Sequence, residues 1–170
     1  RGVKRFATIE MSKERLKFNA AHVTVFSATE RERLHGHTHA VKGLFTGVVG
    51  SDGMVMDYKV LYDRLQALID QLDERYLVPQ FSPHMQVKQE KGRVLITHNN
   101  ETQDLPASDV LVLPVSNVTL EELSSLLVDR LVQPREGGSW AVDNGLVSVE
   151  IKVSSDGGRG SWASSLWNAE

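Results

Sequence analysis

The stretch LKFNAAH, residues 16–22, alternates apolar and polar side chains and predicts a β-strand with one buried face. That face carries Leu16, Phe18, Ala20 and His22. A second strand is predicted from about residue 37 to residue 49, and the turn residues Ser-Asp-Gly at 51–53 end it. Its apolar face carries Val41, Phe45 and Val49 together with His35, His37 and His39. The two strands therefore place four imidazoles on the faces that a core would cover.

Two amphipathic helices are predicted further along the chain. Asp57 is suited to cap the first, whose apolar stripe consists of Leu61, Leu65, Leu68, Ile69 and Leu72. Thr119 and Glu122 form a capping box at the start of the second, whose stripe consists of Leu120, Leu123, Leu127 and Leu131. Pro134 ends the second helix because its nitrogen has no proton to donate.

The C-terminal part of the chain predicts two more strands. Residues 147–153 alternate cleanly, with Val147, Val149, Ile151 and Val153 facing inward. A short strand follows at 161–167. Between the helices, residues 86–115 predict irregular or hairpin structure with short strands at 94–96 and 110–113.

The predicted order is two strands, a helix, an insertion, a helix and two strands. The helical stripes must cover the apolar face of a sheet, which predicts an α+β fold: an antiparallel four-stranded sheet with two helices on one face. We expect a single domain over residues 1–170 with an insertion at about 79–115. Open sheet edges are commonly closed by association of subunits, so we expect a homo-oligomer.

Composition is that of an ordinary globular domain: 170 residues, 41% hydrophobic and 24% charged. A net charge of −3 and the lack of a basic stripe argue against a nucleic-acid-binding protein. The absence of cysteine excludes disulfides, zinc fingers, iron–sulfur clusters and a cysteine nucleophile. No apolar run approaches the roughly 18 residues that span a bilayer. Because residues 1–10 do not resemble a signal peptide, we expect a cytoplasmic protein.

The histidines form the strongest chemical signal. His35 and His37 point to the same side of a strand, and His22 ends the same face of the preceding one. If the two strands pair antiparallel, these three imidazoles converge. Catalytic zinc sites typically have three protein ligands and one open position, and neutral imidazole suits zinc. A His-x-His pair alone is also common as surface decoration.

The chain has three other histidines outside this set. His39 lies on the same face and is a competing ligand. His84 and His98 lie in the insertion, where we expect them to be solvated.

Five segments resemble the 6-pyruvoyl-tetrahydropterin synthase and 6-carboxytetrahydropterin synthase family. FNAAH at 18–22 and LHGHT at 34–38 resemble its two zinc motifs. GMVMDY at 53–58 and LDERYL at 72–77 resemble the stretches around its first helix, and NVTLEEL at 117–123 resembles the start of its second. They cover most of the chain, in order and at compatible spacings.

The resemblance implies the tunnelling fold, a ββααββ unit in which three subunits close a barrel and two trimers stack. It implies a pterin substrate, usually 7,8-dihydroneopterin triphosphate. It also implies zinc held by His22, His35 and His37, where the metal acts as a Lewis acid on the side-chain hydroxyls of the substrate.

The chain departs from the family pattern at its catalytic positions. The usual cysteine before the His-Gly-His pair is missing, and Glu32 stands where a folate-linked branch carries glutamate. Glu32 could act as general base if burial raises its pKa toward neutrality, while Glu30 is the alternative carboxylate. Asp73 is retained after the first helix, but Glu74 replaces the usual proton-shuttling histidine, so the two are candidates for a second proton relay.

The substrate-binding positions are also altered. Ser155 stands where the family carries the glutamate that holds the pterin ring, and Asp156 next to it is the candidate to replace that glutamate. Asn117 and Thr119 match the segment that contacts the ring, although Thr119 is equally explained as a helix cap.

These observations predict a zinc-dependent carbon–oxygen or carbon–carbon lyase acting on a dihydroneopterin-type substrate. Glu32 favours side-chain cleavage to a 6-hydroxymethyl product over a pyruvoyl or carboxy product. One alternative is a zinc-containing relative that acts on another heterocycle or a dephosphorylated pterin. The others are a non-catalytic zinc and pterin binder and a structural module without metal.

Overall fold

The computed structural model describes residues 3–135 and 138–170. Its strands are β1 (Phe6–Met11), β2 (Lys17–His22), β3 (His35–Val48), β4 (Arg75–Pro79), β5 (Gln86–Glu90), β6 (Arg93–His98), β7 (Glu101–Pro106), β8 (Val110–Leu113), β9 (Pro134–Arg135), β10 (Gly138–Ser139), β11 (Leu146–Ser154) and β12 (Trp162–Asn168). Its helices are α1 (Tyr58–Asp70), α2 (Leu120–Val132) and the single turn α3 (Trp140–Asp143). None of the described helices is long and apolar enough to cross a membrane.

One large sheet organises the molecule, in the order β12-β11-β3-β2-β4-β8, and β1 also pairs with β3. The four predicted strands, β2, β3, β11 and β12, are consecutive and antiparallel. The predicted count of four was wrong, however, because the sheet has seven strands. It is also mixed, since β4 runs parallel to both β2 and β8. The sequence predicts no strand at residues 75–79, and β1 lacks a buried face that would mark it.

The central strand β3 is long enough to hold three neighbours. Its first half pairs with β2, its second half pairs with β1, and β11 pairs along its opposite edge. A bulge in β11 between Leu146 and Ser148 shifts the pairing register there. As a result Leu146 is buried and Val147 is only half-buried, which corrects the prediction that Val147 faces the core.

The main core lies between this sheet and the two long helices. Asp57 caps α1 by accepting a hydrogen bond from the Lys59 backbone N–H at 2.8 Å, as predicted. Thr119 caps α2 in the same way through the Glu122 backbone N–H at 3.2 Å. The helices bury Leu61, Leu65, Ile69, Leu123, Leu127 and Leu131 against Phe18, Phe45, Val149, Ile151 and Val153 of the sheet.

A second, smaller core lies under the insertion. Strands β5, β6 and β7 form a separate three-stranded antiparallel sheet. Val94 and Ile96 of β6 are buried against Val23 and Val25, which follow β2. The insertion is therefore an ordered layer packed on the segment that joins the two histidine-bearing strands.

Candidate active site

Three imidazoles converge where β2 ends and β3 begins. The register pairs His22 with His35 and Ala20 with His37, so all three histidines lie on one face. Their ring centroids are 4.7 to 5.2 Å apart, and one ring nitrogen from each lies within 4.8 Å of the others. A Cβ on Gly36, between the two histidines of β3, would lie 3.3 Å from the Ala20 carbonyl oxygen, so glycine allows the close strand approach.

Each imidazole has a partner for its Nδ1 atom. His22 Nδ1–H donates to the Val118 carbonyl at 2.9 Å, and His35 Nδ1–H donates to the Arg33 carbonyl at 2.6 Å. Asp156 Oδ1 lies 3.5 Å from His37 Nδ1. A proton held on Nδ1 leaves the Nε2 lone pair free, which is how metal-ligating histidines are usually oriented.

The donor set fits a metal ion that prefers nitrogen. His22 Nε2 is buried without a hydrogen-bond partner in the described part of the chain, a costly state that a metal ligand bond would relieve. Burial lowers the pKa of His22 and outweighs the hydrogen bond to Val118, which raises it, and this favours the uncharged ring that a metal ligand needs. Three converging imidazoles match a catalytic zinc site with one open position.

His39 lies outside this cluster in the described chain. Its side chain is 2% exposed and stacks on Phe18 with ring centroids 4.7 Å apart. Its Nδ1–H donates to the Ser154 carbonyl at 2.8 Å, and burial lowers its pKa to about 4. The geometry therefore separates His39 from the three candidate ligands.

A cavity of about 230 Å³ lies beside the candidate metal ligands. Side chains from several elements line it, among them His22, His37, His39, Glu32, Thr119, Glu121 and Ser155. The structure thus brings five of the sequence-predicted site residues, from five separate segments, to one concave surface.

Glu32 is fixed in this cavity by local hydrogen bonds. Its Oε1 accepts from the Thr24 backbone N–H at 3.0 Å, and its own N–H donates to the Thr24 carbonyl at 2.9 Å. Burial raises the pKa of Glu32, but hydrogen bonding to Thr24 and the nearby His35 and His22 lower it by more. The pKa is thus below its ordinary value, so the rise toward neutrality that the sequence analysis set as a condition for a general base is absent. Glu30 is exposed and does not line the cavity.

Asp73 and Glu74 do not line the cavity that holds the histidines. Asp73 Oδ1 accepts from the Asn19 backbone N–H at 2.8 Å and so holds the edge of β2. Glu74 lines a separate cavity of about 480 Å³ with Asn19, Thr38 and Tyr76, and His37 borders both cavities.

The four predicted substrate-binding residues occupy different positions around the site. Thr119 and Ser155 line the cavity. The Asn117 amide is used structurally, since its Oδ1 accepts from the Val25 N–H at 3.1 Å and its Nδ2 donates to the Val25 carbonyl at 2.9 Å. Asp156 lies on the Nδ1 side of the His37 ring, a position suited to orienting that ligand.

Sequence reasoning missed several contributors to the site. The carbonyls of Val118 and Arg33 orient ligands through backbone atoms, which no side-chain pattern can show. Glu121 lines the cavity from the first turn of α2, where an acidic residue is common in any helix and so gives no signal of a site. His98 was expected to be solvated but is 5% exposed, because β6 turns it toward the second core. His84 is exposed, as predicted.

The family model for 6-pyruvoyl tetrahydropterin synthase matches residues 10–153 of the chain. The chain belongs to this family. A protein of Pyrococcus abyssi named "Putative 6-carboxy-5,6,7,8-tetrahydropterin synthase" is 34% identical over 101 residues, 59% of each chain. A protein of Methanocaldococcus jannaschii with the same name is 26% identical over 110 residues, 64% of this chain and 67% of that one. The matched part thus spans about three fifths of the first of these relatives.

Solved structures of the family share the fold. The 6-pyruvoyl tetrahydropterin synthase of Plasmodium vivax superposes with a TM-score of 0.87 at 23% identity, over 97% of this chain and 99% of that one. The Plasmodium falciparum enzyme gives a TM-score of 0.85 at 22% identity, over 96% and 99%. The P. vivax enzyme has also been solved as catalytic-residue mutants in which a glutamate is replaced by alanine or by cysteine. At these identities the likeness establishes a shared mixed α+β fold.

Proposed function

We propose that this protein is a zinc-dependent lyase that acts on 7,8-dihydroneopterin triphosphate or a close relative. The observation that carries the proposal is the convergence of His22, His35 and His37 beside a cavity that His22, His37 and the Glu32 carboxylate line. Membership in a family of pterin lyases supports the choice of substrate class.

His22, His35 and His37 would hold the zinc ion. When bound, zinc supplies Lewis acidity toward the side-chain hydroxyls of the substrate. The Val118 and Arg33 carbonyls and Asp156 keep the imidazoles turned toward the metal, and outer partners of this kind matter for both affinity and activity.

Glu32 would act as the general base. Its lowered pKa keeps it ionised, and the Thr24 N–H occupies one oxygen while the carboxylate faces the cavity. In carbon–carbon cleavage it takes the proton of the outer side-chain hydroxyl, and the bond between the two hydroxylated carbons breaks. An aldehyde leaves, and the carbon attached to the ring takes up a proton to give a 6-hydroxymethyl product. The catalytic glutamate of the P. vivax relative supports a glutamate in this role.

The remaining site residues would bind the pterin and move the second proton. We assign substrate contacts to the segment Asn117–Thr119 and to Ser155, with Asp156 as a further carboxylate near the ring. Asp73 and Glu74 would form the second relay. Because they do not line the metal cavity of their own chain, we infer that they serve the site across a subunit contact.

Association would also complete the fold. β12 pairs with β11 on one side, and no strand of the described chain pairs along its other edge. We propose that residues 1–170 form one tunnelling-fold domain, with residues 79–115 as its insertion, that three copies close a barrel, and that two such barrels can stack as a hexamer.

The test is turnover of 7,8-dihydroneopterin triphosphate by zinc-loaded protein, with products separated by chromatography. Glu32→Gln should lose at least about 100-fold in kcat while retaining zinc. Glu30→Gln, two residues earlier in the same loop, is the matched control and should keep wild-type activity. Equal activity of Glu32→Gln and wild type would refute the role of Glu32.

One observation favours a second candidate function. Ser155 lines the cavity at the position where the family anchors the pterin with a carboxylate. A zinc-containing relative that acts on a different heterocycle, or a non-catalytic binder, would need no such anchor. Either alternative would be favoured if protein with one zinc per chain does not consume the triphosphate. Turnover of another heterocycle from a panel would then indicate the relative with a different substrate, and no turnover at all would indicate the binder.

A further inference from the structure

The insertion sheet, formed by β5, β6 and β7, packs against the loop that carries Glu32. This loop, residues 23–34, joins His22 to His35. Its first residues, Val23 and Val25, are buried with Val94 and Ile96 of β6 in the second core. Alternate side chains of a strand point to the same face, so His98 lies on the same face of β6 as Val94 and Ile96, the face turned toward the loop.

His98 connects the insertion sheet to the middle of the loop, at Ser27. Its imidazole is 5% exposed, and its Nε2–H donates to the Ser27 carbonyl at 2.8 Å. Asn99 Nδ2 reaches the Thr29 carbonyl at 3.4 Å, and Arg31 Nη2 lies 3.7 Å from Glu101. The last two contacts are at the surface and are weak, so the buried His98 contact dominates.

Hydrogen bonds inside the loop connect Ser27 to Glu32. The Phe26 and Ser27 N–H groups both donate to the Glu30 carbonyl, at 3.0 and 3.1 Å. Val25 bridges to Arg31, and the Glu32 N–H donates to Thr24. A shift of Ser27 would therefore be passed along the loop to the carboxylate in the cavity.

We propose that His98 is a positioning residue of the active site, which holds the Glu32 carboxylate in place through Ser27. The proposal rests on the proposed function for the role of Glu32. It gives the insertion a catalytic task, because β6 sets the geometry of the base although no residue of β6 lines the cavity.

The candidate metal ligands are held independently of this contact. His22, His35 and His37 lie on paired strands, and the Val118 carbonyl, outside the loop, holds His22. The Arg33 carbonyl that His35 bonds lies at the end of the loop next to β3. Loss of the His98 contact should therefore move the base and leave metal binding intact. A general loss of structure would affect both.

The experiment compares three variants of the full-length, zinc-loaded protein. His98→Asn removes the contact, since its shorter amide cannot reach Ser27, and His98→Gln places an amide donor near the original Nε2. Thr97→Val is the control, because Thr97 bonds Thr102 on the other face of the same strand, at 3.0 Å. We expect His98→Asn to lower kcat about 10- to 100-fold with KM within twofold and zinc at one per chain. His98→Gln should recover most of the activity, and Thr97→Val should retain all of it.

Two further measurements decide the proposal. In a Glu32→Gln background, His98→Asn should cause no further loss of kcat, since both changes act through one carboxylate. An additional loss of the full size there would overturn the proposal. Hydrogen exchange at the Thr24 and Glu32 amides should be faster in His98→Asn than in wild type. Unchanged exchange would overturn the positioning role, whatever the activity. If wild type turns over no pterin but exchange is faster, the proposed function fails and the positioning role stands.

Discussion

The histidines around the candidate metal site show how the orientation of a side chain decides its chemistry. His22, His35 and His39 each donate their Nδ1 proton to a carbonyl, yet only the first two share a point with His37. His39 lies deeper and stacks on Phe18 instead. Orientation, and not residue type, therefore separates a ligand from a core histidine.

The ligand assignment predicts that substitution of a ligand histidine removes the metal and that substitution of a histidine outside the site does not. His35→Ala removes one of three donors, so zinc bound after dialysis should fall from about one per chain to near zero. His84→Ala is the control, because His84 is exposed in the insertion. Elemental analysis of both purified variants measures the outcome. Retention of zinc by His35→Ala would contradict the ligand set.

Asp156 should act on metal affinity through His37. Asp156→Asn removes the charge that lies 3.5 Å from His37 Nδ1 while keeping the shape of the side chain. We expect zinc affinity to fall about 10-fold, as is typical when an outer partner of a ligating histidine is lost. Competition with a chelator measures the affinity. Unchanged affinity would leave Asp156 with a role at the substrate alone.

At the scale of elements, the start of α2 serves the fold and the site together. Thr119 caps the helix, and the residues on either side of it, Val118 and Leu120, also border the cavity. The Val118 carbonyl in addition holds His22. The helix cap therefore places backbone and side-chain groups at the candidate metal centre.

The two helix caps give a matched pair for testing this double role. Thr119→Ala and Asp57→Ala should each lower the free energy of unfolding by about 1 kcal/mol, as measured in urea, because each removes one cap hydrogen bond. Only Thr119→Ala should also change KM for the pterin, since α1 starts away from the cavity. An equal change of KM in both variants would indicate an effect of stability alone.

At the scale of the whole molecule, the sheet is covered by helices on one face and leaves apolar side chains exposed elsewhere. Leu166 on the edge strand β12 is 59% exposed. An apolar residue on an unpaired strand edge is a liability unless another surface covers it. This supports association of subunits through that part of the sheet.

If subunits associate through β12, a charged residue introduced on that strand should lower the mass of the oligomer. Sedimentation equilibrium should give a multiple of three chains for the wild type and a smaller particle for Leu166→Lys. Val60→Lys is the control, because Val60 is 46% exposed on α1, away from the sheet edge. A monomeric wild type would refute the proposed barrel, and with it a relay supplied by a neighbouring subunit.

Much of this molecule was predictable from local sequence patterns. The alternation at 16–22 and 147–153 predicted β2 and β11, and the caps at Asp57 and Thr119 predicted where both long helices begin. The convergence of His22, His35 and His37 followed from strand periodicity once antiparallel pairing was assumed. These features depend on contacts between residues close in sequence or on a simple hairpin register, so the sequence by itself determined them.

Tertiary structure alone decided the rest. The parallel pairing of β4 with β2 and β8 joins segments more than 30 residues apart, and a short buried strand carries no periodic signal of its own. Thr119, Ser155 and Glu32 meet in one cavity, and His98 is buried against Ser27, only because distant segments pack together. The energy of such contacts comes from burial and from backbone carbonyls, which every residue carries, so no pattern of side chains marks them in advance.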